Sequence, residues 1–478
     1  MAFTSLSFLG LVIATVLACN AFTAPSARAW LVLLASAIYI GSHVESPLLL
    51  APLLLFTAAS YVAIELARRF RSGLLAALML VSIVMTFLVL KRYSIVPQWL
   101  QLEQPYLLVG LSYVLFRVLH LLIDAHQGAL LARIPARDFA VYCLSFLTFT
   151  AGPIQRYQDF QATQAPHRLE RAEAEAALTR IVLGFVKVAV VSAALSHVFD
   201  LARVGLPGAG GSLAWQRAAL LQALCCALYT GHLYANFSGY VDIVLGVGRL
   251  IGWRLPENFE RPFAARSFLE LWSRWHMSLS AWFKTYVFNP LLKLLASRVS
   301  SARLAPYLAS LAFFATFLVM GIWHGSTAVF IVYGLLLGAG ASLNKAWQIF
   351  ASKRLGKRRY KQLAERPLAV YASRGLTFAY FALALTCLWV ELPELTALSR
   401  ALGASGWAAS YLLLSVGGAV GFYARDALVA RLGRAGHWLG RARERAVLRD
   451  LSRAALVLLV LIVGSFFHQA PAFVYRAF

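Results

Sequence analysis

Acidic residues are scarce in this sequence. Only 20 aspartates and glutamates stand against 44 lysines and arginines in 478 residues, a formal net charge of +24. All charged residues together make up 13% of the chain, roughly half the share in a soluble globular protein. With 60% hydrophobic residues, the chain has too few polar groups to clothe a soluble core. Cysteine is rare too. Cys19, Cys143, Cys225, Cys226 and Cys387 sit in apolar stretches without C-x-x-C spacing, which reads as buried thiols and excludes a paired redox or zinc motif. No G-x-S-x-G, H-E-x-x-H or P-loop occurs, so a hydrolase elbow, a zinc-protease helix and ATP-driven work are all unsupported. No metal site is expected. No low-complexity tract or internal repeat appears. No basic stripe is interleaved with stacking aromatics, so nucleic acid is not an expected partner. Residues 1–22 carry no basic leader, which predicts a first membrane helix rather than a signal peptide.

Long apolar runs are what the chain has instead. A bilayer core takes about 20 apolar residues per helix. Candidate spans fall near 3–22, 29–42, 47–66, 74–90, 106–124, 139–152, 178–200, 216–235, 307–322, 326–343, 372–390, 407–423 and 453–468. Some of these are short, so the expectation is an all-α, polytopic membrane protein with about eleven spanning helices plus tilted or in-plane ones. One membrane-embedded body covers 1–478. The positive-inside bias assigns Arg68–Arg71, Arg133 with Arg137, the run Lys353–Lys361 and the run Arg425–Arg453 to the cytoplasm. His43–Ser46 and the loop with Glu391 and Glu394 then lie outside, and so does the N-terminus. Lys91 and Arg92 depart from this alternation.

Two stretches are too polar for spans. Residues 155–175 read as a surface loop and amphipathic helix. In 253–306, Phe268, Leu271, Trp272, Trp275, Leu279, Trp282, Phe283 and Tyr286 recur at three and four, which predicts one helical face. Glu270, Arg274 and Lys284 lie off it. Gly152-Pro153 reads as a helix break.

Within this frame three places put chemistry among apolar residues. His324 stands in Met320-Gly321-Ile322-Trp323-His324-Gly325, and His276 follows Arg274-Trp275. Imidazole is suited to moving protons near neutral pH. A histidine beside tryptophan is also a common interfacial residue with a wet tip. Asn236-Phe237-Ser238-Gly239-Tyr240-Val241-Asp242 places an amide, hydroxyls and a carboxylate at membrane depth. Asp242 is there either for function or as a hydrogen bond between helices.

The residues in these places resemble one family. Thr150-Ala151-Gly152-Pro153-Ile154-Gln155-Arg156-Tyr157 resembles the G-P-I-x-R-Y element of the membrane-bound O-acyltransferases. Asn236–Asp242, Gly246 and Pro256-Glu257-Asn258-Phe259 resemble its F-S-G-Y-x-D and P-E-N-F segment. Arg261-Pro262-Phe263 and Trp272–Trp282 resemble its W-x-R-W-H-x-S-L-S-x-W block, and Met320–Gly325 its M-G-x-W-H-G block. The motif-dense core is about 139–343, with the four blocks in family order.

The resemblance implies helices around a central funnel. It also implies acyl transfer from a cytoplasmic thioester to a hydroxyl on or across the bacterial inner membrane. It makes His324 the essential residue and His276 the second candidate. No cofactor is expected to be resident, and acetyl-CoA or an acyl carrier protein thioester would be the donor. Trp323, Arg274, Trp275, Asn236, Ser238 and Asp242 are the expected supporting or substrate-binding residues. An oxyanion donor would come from His276, Arg274 or the Trp323 N–H. Two bacterial branches fit: one O-acetylates exopolysaccharides such as alginate or cellulose, the other transfers D-alanine to teichoic acids. A periplasmic SGNH-hydrolase-like acyltransferase is an expected partner, beside the polysaccharide and membrane lipid. The rival readings are a transporter or flippase with Asp242 and the histidines as proton relay, and a non-catalytic scaffold.

Overall fold

A computed structural model describes residues 5–443 and 456–457, apart from 23, 107, 109, 164–168, 207–213, 300 and 302. The expected span at 453–468 falls almost wholly outside these residues, as does the chain end at 473–478. Among the described residues the regular elements are helices, with one isolated bridge between Phe259 and Trp275. They are α1 (Leu6–Ala21), α2 (Pro25–Gly41), α3 (Ala51–Phe70), α4 (Gly73–Leu90), α5 (Leu111–His126), α6 (Ala136–Leu144), α7 (Tyr157–Thr163), α8 (Arg171–Val186) and α9 (Ala193–Val204). There follow α10 (Trp215–Leu250), α11 (Phe268–Trp272), α12 (Met277–Phe283), α13 (Asn289–Arg298), α14 (Ala305–Trp323), α15 (Val329–Leu355), α16 (Lys357–Ala364), α17 (Pro367–Ala384) and α18 (Leu392–Arg443).

Eight helices in the described residues are long and apolar enough to cross a membrane, and α1 and α2 add two shorter apolar ones. The architecture is therefore all-α and polytopic. Local chemistry sets the helix starts. Ser5 and Ser72 accept from the N–H groups of Phe8 and Leu75 at 3.2 and 3.4 Å, and prolines open α2, α3, α13, α14 and α17.

The chain forms two compact units. Among the described residues, the first comprises those up to 185 together with 238–257; the second comprises those of 186–237 and from 258 onward.

In the first unit, α5 is buried along nearly its whole length. The expected span at 139–152 is not one: α6 ends at Leu144, and residues 145–156 run without helix. Their backbone groups still need partners away from water, and side chains supply them. The buried Arg117 donates to the carbonyls of Cys143 and Thr148 at 2.7 and 2.5 Å. Ser36 accepts from Phe146 N–H at 2.9 Å, and Tyr142 O–H donates to the Gln155 carbonyl at 2.6 Å. Gly152 permits the turn, since a Cβ there would stand 2.3 Å from Thr148 Cα. Residues 155–175 are less superficial than expected, because Tyr157 and Phe160 are buried. Side chains at helix ends also reach distant carbonyls: Arg28 donates to the Ile251 carbonyl, Asn20 to that of Leu250 at 2.9 Å, and Arg68 to that of Leu131 at 3.3 Å.

In the second unit, α14 and α15 cross with backbones almost touching. A Cβ on Gly321 would lie 2.1 Å from Gly334 Cα, one on Gly334 would lie 2.5 Å from the Leu318 carbonyl oxygen, and one on Gly338 would lie 2.8 Å from that of Phe314. Small residues at spacing four permit such approach in lipid, where burial of apolar surface does not drive helix association. At α17 and α18, a Cβ on Gly375 would meet the Ser415 carbonyl at 2.1 Å. Arg374 closes the same pair, bonding Asp426 at 2.6 Å and the Phe263 carbonyl at 3.2 Å.

The single helical face expected over 268–286 is broken. Helix α11 ends at Trp272 and α12 starts at Met277, with His276 between them at φ 46° and ψ 52°. Phe268, Leu271, Trp272, Trp275, Leu279, Trp282 and Phe283 are nevertheless all buried. The apolar spacing marks what is enclosed, while a backbone pairing of 258–260 with 274–277 interrupts the helix.

Candidate active site

His276 occupies a backbone region that L-residues with a Cβ seldom enter, at a cost of about 1–2 kcal/mol. Two strand-like segments impose it. Glu260 N–H donates to the Arg274 carbonyl at 2.9 Å and Met277 N–H to the Asn258 carbonyl at 3.0 Å, around the Phe259–Trp275 bridge. This pairing turns three consecutive side chains in three directions. Arg274 goes outward and binds Glu270 at 3.1 Å. Trp275 enters an aromatic cluster, with ring centroids 5.1 Å from Phe259, 6.0 Å from Tyr234 and 5.0 Å from Phe381. His276 goes fully inward, 0% exposed, with Phe237 edge-on at 4.9 Å.

His324 caps the C-terminus of α14 and is 3% exposed. Its Nδ1 lies 2.6 Å from the Met320 carbonyl oxygen, one turn back. A carbonyl only accepts, so Nδ1 carries the proton and Nε2 is the proton-accepting nitrogen. The rings of Trp323 and Tyr333 flank the imidazole edge-on at 4.9 and 5.4 Å. Gly325 makes room for Phe330, whose ring would lie 2.0 Å from a Cβ there.

Both histidines lie between candidate spans. Burial lowers the pKa of both: that of His324 to about 4, and that of His276 well below the ordinary imidazole value. The second cause at His276 is the charge of His324, so these two expected residues lie near one another. Trp323 and Trp275 are buried in the same unit, as is Asn236, one residue before the Phe237 that touches His276.

Two other expected residues belong to the first unit. Ser238 is buried in the first unit. Asp242, also there, accepts from Arg180 Nε at 2.9 Å, and Arg180 binds Glu257 through two bonds of 2.6 and 2.5 Å. This ion pair braces α8 against α10 where Gly184 meets the Gly239 carbonyl. Asp242→Asn keeps the hydrogen bond and removes the titrating group. Acyl transfer is expected to stay within about tenfold of wild type, whereas a proton relay would lose all turnover. Asn258, unremarked as a site residue in the sequence, holds His276. Only its place in the P-E-N-F block could have drawn notice.

The five cysteines are buried and unpaired with one another, and no His/Cys/Asp/Glu cluster able to hold a metal occurs among the described residues. The family model for MBOAT, the membrane-bound O-acyltransferase family, matches residues 62–353. The protein named "Probable alginate O-acetylase AlgI" of Pseudomonas aeruginosa is 34% identical over 252 residues, 52% of this chain and 44% of that one. The teichoic acid D-alanyltransferase of Bacillus subtilis is 30% identical over 231 residues, 48% of this chain and 56% of that one. That of Streptococcus thermophilus is 32% identical over 244 residues, 50% and 57%. The chain spans about half the length of the curated relatives it matches. The matched region holds the glycines of the α14–α15 crossing and both buried histidines. This chain belongs to the membrane-bound O-acyltransferase family.

Proposed function

We propose that the protein moves an acyl group, acetyl or D-alanyl, from a cytoplasmic thioester to hydroxyls of a cell-envelope or extracellular polysaccharide. The transfer is direct or passes through a periplasmic SGNH-hydrolase-like partner, and the protein works in the bacterial inner membrane. The observation that carries this reading is the buried His324 whose Nδ1–H is tied to the Met320 carbonyl, which makes Nε2 the proton-accepting nitrogen. Acyl transfer to a hydroxyl needs such a base.

In the proposed sequence, His324 Nε2 takes the proton of the acceptor hydroxyl as its oxygen bonds the thioester carbon. The carbonyl π electrons move to oxygen. The oxyanion then collapses, the C–S bond breaks, and the imidazolium returns its proton to the departing thiolate. The developing oxyanion wants fixed donors in a dry site. The buried Trp323 N–H, which only donates, suits this better than a neutral His276 held as Nδ1–H.

The donor, acetyl-CoA or an acyl carrier protein thioester, brings phosphate groups. A cavity of about 200 Å³ in the first unit is lined by Arg180, Arg249 and Arg254 with Glu173, Glu257 and Trp253. Its guanidiniums suit those phosphates.

The test is mass spectrometry of envelope polysaccharides from a host lacking the gene, complemented with wild type or His324→Ala. An acyl mass restored by wild type alone supports the reading and names the group; equal acylation in all strains overturns it. A pH profile follows as well. A base with a pKa of about 4 is neutral at pH 7 and loses its accepting form only as pH falls through that value. Turnover is expected to be flat between about pH 6 and 8, without the acid limb near 6.5 of an ordinary imidazole. A limb at that position would contradict the buried-base assignment.

A further inference from the structure

We propose that the basic turn joining α15 to α17, carried mainly by α16, is a binding surface for anionic lipid headgroups of the cytoplasmic leaflet.

Between residues 353 and 366 stand seven lysines and arginines against one acid, Glu365. All are exposed. Lys361 lies 4.0 Å from Glu365, and Lys353 sits over the Tyr307 ring at 5.2 Å. Arg354, Lys357, Arg358, Arg359 and Arg366 have no ion pair among the described residues. The helix itself does not offset them. The first turn of α16 holds no acid. The dipole of its N-terminus has the same sign as Lys357, Arg358 and Arg359, so it adds to their repulsion. A compensating anion therefore has to come from another molecule.

The place of the turn in the fold selects lipid. Val329–Leu355 and Pro367–Leu388 are both long and apolar enough to cross a membrane. Gly356, at φ 78°, breaks α15 from α16, a conformation glycine adopts without strain. The eight residues of α16 make a rod of about 12 Å. Tethered to a span at each end, that rod keeps its charges within about one Debye length, roughly 10 Å, of the headgroup phosphates.

The residues before the turn agree with this depth. About 20 residues cross the hydrocarbon core, which carries α15 from Val329 to the interface near Trp347 and Phe350. Their side chains are 59% and 56% exposed, with ring centroids 6.0 Å apart. An exposed tryptophan at that level sits where headgroups begin, and the cations start at Lys353, less than two turns further on. The positive-inside bias puts this turn on the cytoplasmic side, where anionic lipids make the surface potential negative. An acidic protein would reach these cations only by displacing headgroups already beside them.

The experiment uses the full chain in detergent micelles, with phosphatidylglycerol or phosphatidylcholine titrated in and retention read by native mass spectrometry and thermal melting. Wild type is expected to hold phosphatidylglycerol at least about tenfold more tightly than phosphatidylcholine and to lose that preference at high salt. The variant carrying Lys357→Gln, Arg358→Gln, Arg359→Gln and Lys361→Gln is expected to hold phosphatidylglycerol about tenfold less tightly than wild type. Arg358→Lys with Arg359→Lys keeps the charge and is expected to match wild type.

Equal retention of the two lipids by wild type overturns the proposal, as does unchanged phosphatidylglycerol retention in the four-glutamine variant. If that variant does not accumulate, Arg358→Gln with Arg359→Gln decides, with a loss of at least about threefold expected. Inorganic phosphate at matched ionic strength should not reproduce the stabilisation. If it does, the surface takes a free anion and not the leaflet, and the proposal fails. Unchanged lipid retention with lost binding of a purified acyl carrier protein would assign the surface to protein and overturn it as well. Lipid retention is read without turnover, so the outcome does not depend on the acyl-transfer reading.

Discussion

His324→Ala is expected to lower acyl transfer by about 10³-fold or more while leaving the amount of protein in the membrane unchanged. General-base catalysis contributes roughly 10²–10⁴-fold, and His324 is the histidine whose Nδ1–H is locked to a carbonyl by the helix it caps. The loss should appear in kcat, since a general base acts on the reacting hydroxyl in the transition state. Membrane yield should hold because the removed side chain closes one hydrogen bond at a helix end. His324→Gln separates base from shape: it retains a polar side chain but supplies no basic nitrogen, and should be as slow as alanine. Turnover within tenfold of wild type for either variant, in purified protein with a thioester donor, would remove His324 from the chemistry.

Gly321→Val is expected to abolish both activity and a monodisperse protein in detergent. A Cβ there would lie 2.1 Å from Gly334 Cα and 2.4 Å from Gly334 N. No side-chain rotation relieves a clash with backbone, so α14 and α15 must separate. Overpacking in a close-packed core costs about 1–3 kcal/mol when flexible side chains absorb it, and here rigid backbone must. The separation would also carry off Met320 and His324, three and fewer residues away on the same helix. Gly417→Ala is the control, a glycine whose Cβ would meet nothing within 4 Å. Size-exclusion profiles and thermal melts in detergent measure the difference. A Gly321→Val protein that melts with wild type would show that the crossing is not the support of the site.

Much of this was legible in the residues. The glycines and the W-H-G block pointed to His324, and apolar runs located most helices because lipid tolerates little else. Composition misleads where side chains replace helical hydrogen bonds. Residues 139–152 are apolar enough for a span, yet Arg117, Ser36 and Tyr142 satisfy the backbone of 145–156 in another conformation. A buried coil looks like a buried helix in composition. The face from Phe268 to Tyr286 has helical spacing, but pairing of 258–260 with 274–277 interrupts it. Spacing along the chain cannot register partners from another segment.

Asp242 illustrates the same limit. Its cost at membrane depth is readable from sequence. Its partner is not, because Arg180 lies 62 residues back on a different helix and is itself shared with Glu257. Asn258 was hidden for a further reason. An asparagine in a loop has no periodicity and no charge to draw attention, and its importance lies in which atoms its oxygen meets.

By itself, the sequence determined that the chain is a helical membrane protein, and its ordered blocks determined the kinship. Hydrophobic content and short motifs are local properties that survive without coordinates. The tertiary structure decided what surrounds each buried histidine. Asn258 meets His276 at 3.3 Å from 18 positions away, through the fold and not through adjacency.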